Sequence, residues 1–147
     1  MTLARILTAA VVALSLSACA HHRKAEHCDK PCADCPESEK KASFGRLSVQ
    51  EVSDLVARGE ASVFDVNNEE RFQKGHVPGA VWLPYDAVSA EKLPADKSRA
   101  LVFYCANEHC GACHKAAEAA ISLGYTKVFI MPAGIAGWEA AGLAVEK

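Results

Sequence analysis

The chain has 147 residues, half of them hydrophobic, and a formal net charge of −2. This length and apolar content are enough for one domain with a core and an added tail, and the small negative charge gives no electrostatic basis for binding nucleic acid. Cysteine is the unusual component, because the seven cysteines form three groups: Cys19 alone, then Cys28, Cys32 and Cys35, then Cys105, Cys110 and Cys113.

Residues 1–18 have the layout of a signal peptide. Arg5 precedes a short apolar run over residues 6–14, and small residues lead to Cys19. The run is well short of the ~20 residues that a membrane-spanning helix needs. The four residues 16–19, Leu-Ser-Ala-Cys, resemble the lipobox of bacterial lipoproteins. The resemblance implies that Cys19 is acylated and anchors the protein on the periplasmic side of the cell envelope, at the outer membrane if the host has one. The alternative is an ordinary secretory signal in which Cys19 is incidental.

Residues 19–43 are predicted to form a flexible, lipid-anchored tether, because they hold almost nothing apolar to bury. The second cysteine group, with its neighbour His27, offers soft ligands for Zn²⁺ or Cu(I). Disulfide formation, within the group or with the third group, is the other interpretation, and relay of sulfur to the domain is a further one. Three thiols cannot all pair internally. No cofactor is expected to be required, and Zn²⁺ or Cu(I) at the cysteine clusters is the alternative.

From Ser48 onward, helical and strand patterns alternate. Ser48 and Glu51 form a capping box at the start of an amphipathic helix that Gly59 ends. The patterns that follow predict strands over residues 62–66, 80–83, 101–104 and 127–131 and helices over residues 69–73 and 115–122. Strands separated by helices are typical of an α/β domain with a central parallel sheet flanked by helices.

Four segments in this order resemble the rhodanese-like family. They are Asp65-Val66 with the turn 75–80 (Gly-His-Val-Pro-Gly-Ala), Phe103-Tyr104-Cys105 at a strand end, residues 124–128 (Gly-Tyr-Thr-Lys-Val), and the closing stretches 133–138 and 141–145. The resemblance extends from about residue 48 to the C-terminus and implies a rhodanese-like α/β domain over residues 44–147.

The resemblance also implies a site. Cys105 would be the catalytic nucleophile, taking a sulfane sulfur from a donor as a persulfide and passing it to a thiol acceptor, as in thiosulfate or polysulfide sulfurtransferases. Asp65 and His76 would be supporting, structural residues. Because backbone amides and a helix N-terminus lower a thiol pKa, Cys105 is expected to react faster than the other two thiols of its group. The implied active-site loop consists of Ala106, Asn107, Glu108, His109, Cys110, Gly111, Ala112 and Cys113.

The loop departs from the family pattern in length and charge. Asn67 stands where family members often carry Arg, and the loop is about two residues longer than usual and has no Arg. A thiosulfate anion would therefore be held less well than usual. The absence of the Cys-x5-Arg pattern of related phosphatases argues against phosphatase activity.

The segment Cys110-Gly111-Ala112-Cys113 resembles the active-site motif of thioredoxin-like oxidoreductases and, with His114, also fits a c-type haem attachment pattern. Haem is disfavoured because the rhodanese-like helix would occupy its space. The predicted role is a loop dithiol: Cys110, or else Cys113, forms a bridge with oxidised Cys105. The alternatives are a thiol-disulfide oxidoreductase, or a catalytically weak rhodanese-fold module that binds Zn²⁺ or Cu(I) through its cysteine clusters.

Overall fold

The computed structural model describes residues 43–147. The predicted signal peptide, Cys19 and the tether thiols Cys28, Cys32 and Cys35 with His27 lie outside the described residues, and the predictions made for them remain predictions. Within residues 43–147, none of the helices has the length and apolar character needed to cross a bilayer.

The domain is built on a sheet of five parallel strands: β1 (Gly45–Arg46), β2 (Ala61–Asp65), β3 (Val81–Trp82), β4 (Ala100–Tyr104) and β5 (Val128–Met131). Their order across the sheet is β1-β5-β4-β2-β3, and every neighbouring pair is parallel. β4 is the central strand, with β2 on one side and β5 on the other. The predicted α/β class with a central parallel sheet is confirmed.

Three helices connect the strands: α1 (Val49–Arg58), α2 (Glu69–Lys74) and α3 (Ala112–Ser122). A fourth helix, α4 (Gly134–Ala140), follows β5, and a 3₁₀ turn lies at Tyr85–Ala87. The start of α1 confirms the predicted capping box. The Ser48 backbone N–H donates to the Glu51 carboxylate at 2.8 Å, and the Glu51 backbone N–H donates to the Ser48 hydroxyl at 3.3 Å. Gly59 ends the helix with φ +64°, as predicted.

The sheet is buried on both faces. Leu101 and Phe103 of β4 belong to a core that includes α3, whereas Val102 and Tyr104 belong to a second core with residues of α1 and α4. This alternation follows from the two-residue period of a strand. Because the side chains within β4 are used for packing, reactive groups must come from the loops at its ends.

Three elements differ from the sequence-based prediction. α3 begins at Ala112 rather than near Lys115, and its N-cap Gly111 makes no side-chain capping hydrogen bond, so the sequence carries no capping signal there. The two-residue strand β1 and the helix α4 were not predicted. The early start of α3 matters most, because it moves Cys113 from the loop into the first turn of a helix.

The turn between β5 and α4 packs directly on the backbone that follows β4. The N–H groups of Ile135 and Ala136 donate to the carbonyls of Cys105 (2.9 Å) and Ala106 (3.1 Å). Gly134, at φ +60°, makes this approach possible, since a Cβ there would lie 2.5 Å from the Cys105 carbonyl oxygen. Position 134 therefore requires glycine for its conformation and for space.

We expect Gly134→Ala to lower the free energy of unfolding by about 2–4 kcal/mol, because backbone strain and steric overlap add at this position. Gly142→Ala is the matched control. Gly142 also has a positive φ, +72°, but a Cβ there meets nothing within 4 Å, so it should lose only about 1 kcal/mol. Urea unfolding of both variants measures the difference, and equal losses would contradict the requirement for close approach.

Candidate active site

Cys105 and Asp65 lie at the same edge of the sheet. Cys105 directly follows the central strand β4, and Asp65 is the last residue of β2, paired in register with Tyr104. The carboxyl ends of parallel strands are where open α/β sheets bind ligands. The structure therefore brings the predicted nucleophile and the predicted supporting acid to the edge where chemistry is expected.

The Cys105 side chain is buried, with the residue only 1% exposed. Its Sγ lies 3.2 Å from the Cys110 carbonyl oxygen, 3.7 Å from Cys113 Sγ and 3.9 Å from the Asn107 carbonyl oxygen. These are acceptors, so the sulfur is placed to donate its proton. The hydrogen bond to Cys113, together with burial, raises the pKa of Cys105.

Cys113 is the acceptor in this pair. It lies in the first turn of α3, is also 1% exposed, and its Sγ is 3.5 Å from His114 Nδ1. The hydrogen bond received from Cys105 lowers the pKa of Cys113, and the backbone N–H of His114 lowers it further. Burial raises the pKa of Cys113 but is outweighed. The hydrogen bond favours ionisation of Cys113 over ionisation of Cys105. The expectation that Cys105 carries the more stabilised thiolate stays a prediction, which these pKa directions do not support.

Cys110 is half-buried and contacts Cys105 through its backbone carbonyl. Burial raises the pKa of Cys110. The Cys110 N–H donates to the Asn107 carbonyl at 3.1 Å, and the His109 N–H donates to the Asn107 side chain at 3.1 Å, so the loop is a tight turn. All three cysteines are free thiols. The thiol beside Cys105 Sγ is therefore that of Cys113, while sequence spacing had favoured Cys110.

Asp65 holds the loop after β2. Its side chain is fully buried, and Oδ1 accepts hydrogen bonds from the backbone N–H of Asn67 at 2.8 Å and from the Asn67 side-chain amide at 2.7 Å. Oδ2 has no hydrogen-bond partner among residues 43–147. Burial raises the pKa of Asp65. Asn67, at the position where family members often carry Arg, is hydrogen-bonded to this carboxyl, and its neutral amide adds no positive charge to the site.

His76 ties the loop after α2 to the end of the chain. Its Nδ1 lies 3.0 Å from the Phe72 carbonyl oxygen, and its ring stacks on Phe72 with centroids 3.8 Å apart. Its backbone exchanges two hydrogen bonds of 2.9 Å with Glu146. These contacts fit the structural role that the sequence suggested.

The outer side of the loop borders a cavity of about 400 Å³. Asn107, Glu108 and His109 line one side, and Ala133, Ala136 and Gly137 line the other. Across the described range 43–147, no group of three or more His, Cys, Asp or Glu side chains is arranged to hold a metal ion.

A family model described as a rhodanese-like domain matches residues 48–141. The chain belongs to the rhodanese-like domain family. The matched residues include both strand ends and the loop with the thiol pair, so the candidate site lies within the rhodanese-like domain.

Several curated proteins are similar to this rhodanese-like domain. The thiosulfate sulfurtransferase GlpE of Pseudoalteromonas translucida is 22% identical over 99 residues, which cover 67% of this chain and 92% of GlpE. The human thiosulfate:glutathione sulfurtransferase is 31% identical over 94 residues, covering 54% of this chain and 80% of the human protein. An HTH-type transcriptional regulator of Mycobacterium tuberculosis is 30% identical over 89 residues, and there the match spans 60% of this chain and only 39% of the regulator.

Solved structures agree on the fold. The BH2092 protein of Bacillus halodurans superposes with a TM-score of 0.63 at 26% identity, covering 73% of this chain and 79% of that one. The 3-mercaptopyruvate sulfotransferase SseA of Escherichia coli, at 20% identity and a TM-score of 0.59, covers 71% of this chain and 51% of its own. The rhodanese-like fold is thus confirmed.

The hydrogen bond from Cys105 to Cys113 predicts how two substitutions should differ. Cys105→Ala removes the donor, so the pKa of Cys113 should rise. Cys105→Ser keeps an O–H donor at the same position, so the rise should be clearly smaller. The measurement is the pH dependence of iodoacetamide labelling at Cys113, read by peptide mass spectrometry. An identical pH dependence in the two variants would show that Cys105 does not stabilise the Cys113 thiolate.

Proposed function

We propose that this protein is a sulfurtransferase that carries sulfane sulfur as a persulfide on Cys105. The observation that carries the proposal is the pair of buried thiols, 3.7 Å apart, at the carboxyl end of the central strand. The relatives named as thiosulfate sulfurtransferases support the same class of activity.

Loading of Cys105 follows from the proton arrangement in the pair. As the Cys105 sulfur attacks the sulfane sulfur of a donor, its proton passes along the hydrogen bond to Cys113. The bond between the sulfane sulfur and the rest of the donor breaks, and with thiosulfate the leaving group is sulfite. Cys113 therefore acts as the general base, and no separate histidine or carboxylate is needed for this step.

The charge of the loop favours donors with little negative charge. His109, His114 and Lys115 are the cationic or titratable groups near the thiols, and Glu108 opposes them. Asn67 is occupied with Asp65. A dianion such as thiosulfate gains less here than beside a guanidinium, which binds oxyanions in a bidentate manner. Persulfides or polysulfides are therefore the donors that we propose, with a thiol as acceptor.

Treating the reduced protein with polysulfide in the absence of reductant should add sulfur at Cys105, because this thiol faces the base Cys113. Peptide mass spectrometry after blocking at early times locates the added sulfur, before a neighbouring thiol displaces it. Thiosulfate at the same concentration should load the protein more slowly. Cys105→Ser should abolish loading of the domain, while Cys28, Cys32 and Cys35 provide an internal control for non-specific reaction. Unchanged loading in Cys105→Ser would refute the assignment.

We further propose that the protein is anchored by lipid at Cys19, with the polar segment 19–43 as a tether on the periplasmic side. The support is the signal-like sequence before Cys19. The full-length protein should fractionate with membranes, and Cys19→Ser should appear in the periplasm or medium, because a single lipidated residue supplies the attachment. Membrane retention of Cys19→Ser would contradict the anchor.

A further inference from the structure

The position of Cys113 bears on how sulfur leaves the site. Cys105 Sγ and Cys113 Sγ are 3.7 Å apart and both residues are 1% exposed. The two sulfurs are therefore in van der Waals contact. A disulfide needs about 2 Å between the sulfurs, so they would have to approach by less than 2 Å to form one. Cys113 is in the first turn of α3, while Cys105 is held through its carbonyl by α4. A rotation of either side chain is a smaller change than a movement of the loop.

We propose that Cys113 displaces the sulfane sulfur from Cys105 as hydrosulfide, leaving a Cys105–Cys113 disulfide that an external dithiol reduces. This inference rests on the proposed function, since it needs a persulfide on Cys105, and it names the product and the class of partner. The domain then releases sulfide and passes an oxidising equivalent to a dithiol, so it combines sulfur transfer with thiol-disulfide exchange.

The step balances as a single displacement. The proton that Cys113 accepted during loading passes to the outer persulfide sulfur, which leaves Cys113 as a thiolate. Cys113 S⁻ then attacks the inner sulfur of Cys105–S–SH, the bond between the two persulfide sulfurs breaks, and HS⁻ leaves with that proton. The outer sulfur is reduced from the sulfane to the sulfide level, and the two cysteine sulfurs end as a disulfide. A dithiol of the general form R(SH)₂ then supplies two electrons and two protons, which regenerate both thiols and leave R with its own disulfide.

The leaving groups favour attack at the inner sulfur. Attack at the outer sulfur would transfer the persulfide to Cys113 and expel the Cys105 thiolate. That thiolate would form in a buried position facing the carbonyl oxygens of Cys110 and Asn107, where burial raises the pKa of Cys105. Hydrosulfide is the anion of a stronger acid and leaves faster. The inner sulfur is also the atom whose distance to Cys113 is short.

Cys110 is less suited to this role. Its contact with Cys105 Sγ at 3.2 Å is made by the backbone carbonyl, and a carbonyl cannot form a disulfide. The Cys110 thiol also interacts with Cys105, and this interaction adds to the rise in the pKa of Cys110. Burial raises the pKa of its thiol, and the residue lies outside α3, whose first turn supports the Cys113 thiolate. Serine at position 110 keeps the backbone carbonyl and removes only the thiol, so Cys110→Ser is the matched variant.

The test is a single turnover of the reduced full-length protein. The probe is excess thiosulfate labelled at its sulfane sulfur, without added thiol. Wild-type protein should release about one equivalent of labelled hydrosulfide and form a Cys105–Cys113 bridge, detected by trapping the sulfide and by peptide mass. Addition of dithiothreitol should then permit repeated release. Cys110→Ser should still form the Cys105–Cys113 bridge and release hydrosulfide, because serine at position 110 cannot take part in a disulfide.

Cys113→Ala is the decisive variant, because alanine suits the packed face that α3 forms with Ala116 and Ala117. Because this variant lacks the base Cys113, loading of Cys105 is allowed to reach completion before the release of hydrosulfide is measured. The label should then stay on Cys105 as a persulfide, and hydrosulfide release should fall about tenfold or more. Cys113→Ser, with thermal unfolding of both variants, controls for folding.

The outcomes separate the two proposals. No sulfur on Cys105 in any variant after prolonged incubation, with thiosulfate or with polysulfide, overturns the proposed function and this inference together. A stable persulfide on wild-type Cys105 with Cys113 free overturns the inference alone. So does a Cys110–Cys113 bridge with Cys105 free, or hydrosulfide release from Cys113→Ala at the wild-type rate.

Discussion

The contact between the start of α4 and the carbonyls of Cys105 and Ala106 holds the site together. Two hydrogen bonds, of 2.9 and 3.1 Å, fix the backbone immediately after the central strand. Gly134 permits these hydrogen bonds, because a Cβ atom at this position would overlap the Cys105 carbonyl. Because α4 holds the Cys105 carbonyl, the Cys105 side chain lies toward α3, where its Sγ contacts the Sγ of Cys113.

Burial and pairing then divide the acidity of the two thiols. The hydrogen bond that Cys105 donates to Cys113, together with burial, raises the pKa of Cys105. Cys113 is equally buried but receives a hydrogen bond from Cys105 and lies in the first turn of a helix. One proton is therefore lost from the pair more readily than from either thiol alone. In the function that we propose, Cys105 is the nucleophile and Cys113 is its base.

The residues around the Cys105–Cys113 pair hold loops in place. Asp65 and Asn67 close the loop after β2, and His76 joins the turn after α2 to Glu146 near the C-terminus. Asn67 supplies no positive charge at the loop, because its amide is neutral and is hydrogen-bonded to the Asp65 carboxyl. The basic side chains of the loop region are His109, His114 and Lys115, and none of the three is an arginine. Our proposal that the sulfur donors carry little charge rests on this.

The sequence by itself determined the α/β class, the capping box of α1, its end at Gly59 and the position of Cys105 after a buried strand. Each of these depends on residues close together in the chain: Ser48 with Glu51, or an apolar run bounded by polar residues. It did not determine β1, α4 or the start of α3. Gly111 provides no capping side chain, so the start of α3 at Ala112 depends on packing against the sheet. For the same reason, sequence spacing favoured Cys110 as the partner of Cys105. Only the tertiary structure, by placing Cys113 in the first helical turn and holding Cys105 with α4, decided that the two buried sulfurs in contact are those of Cys105 and Cys113.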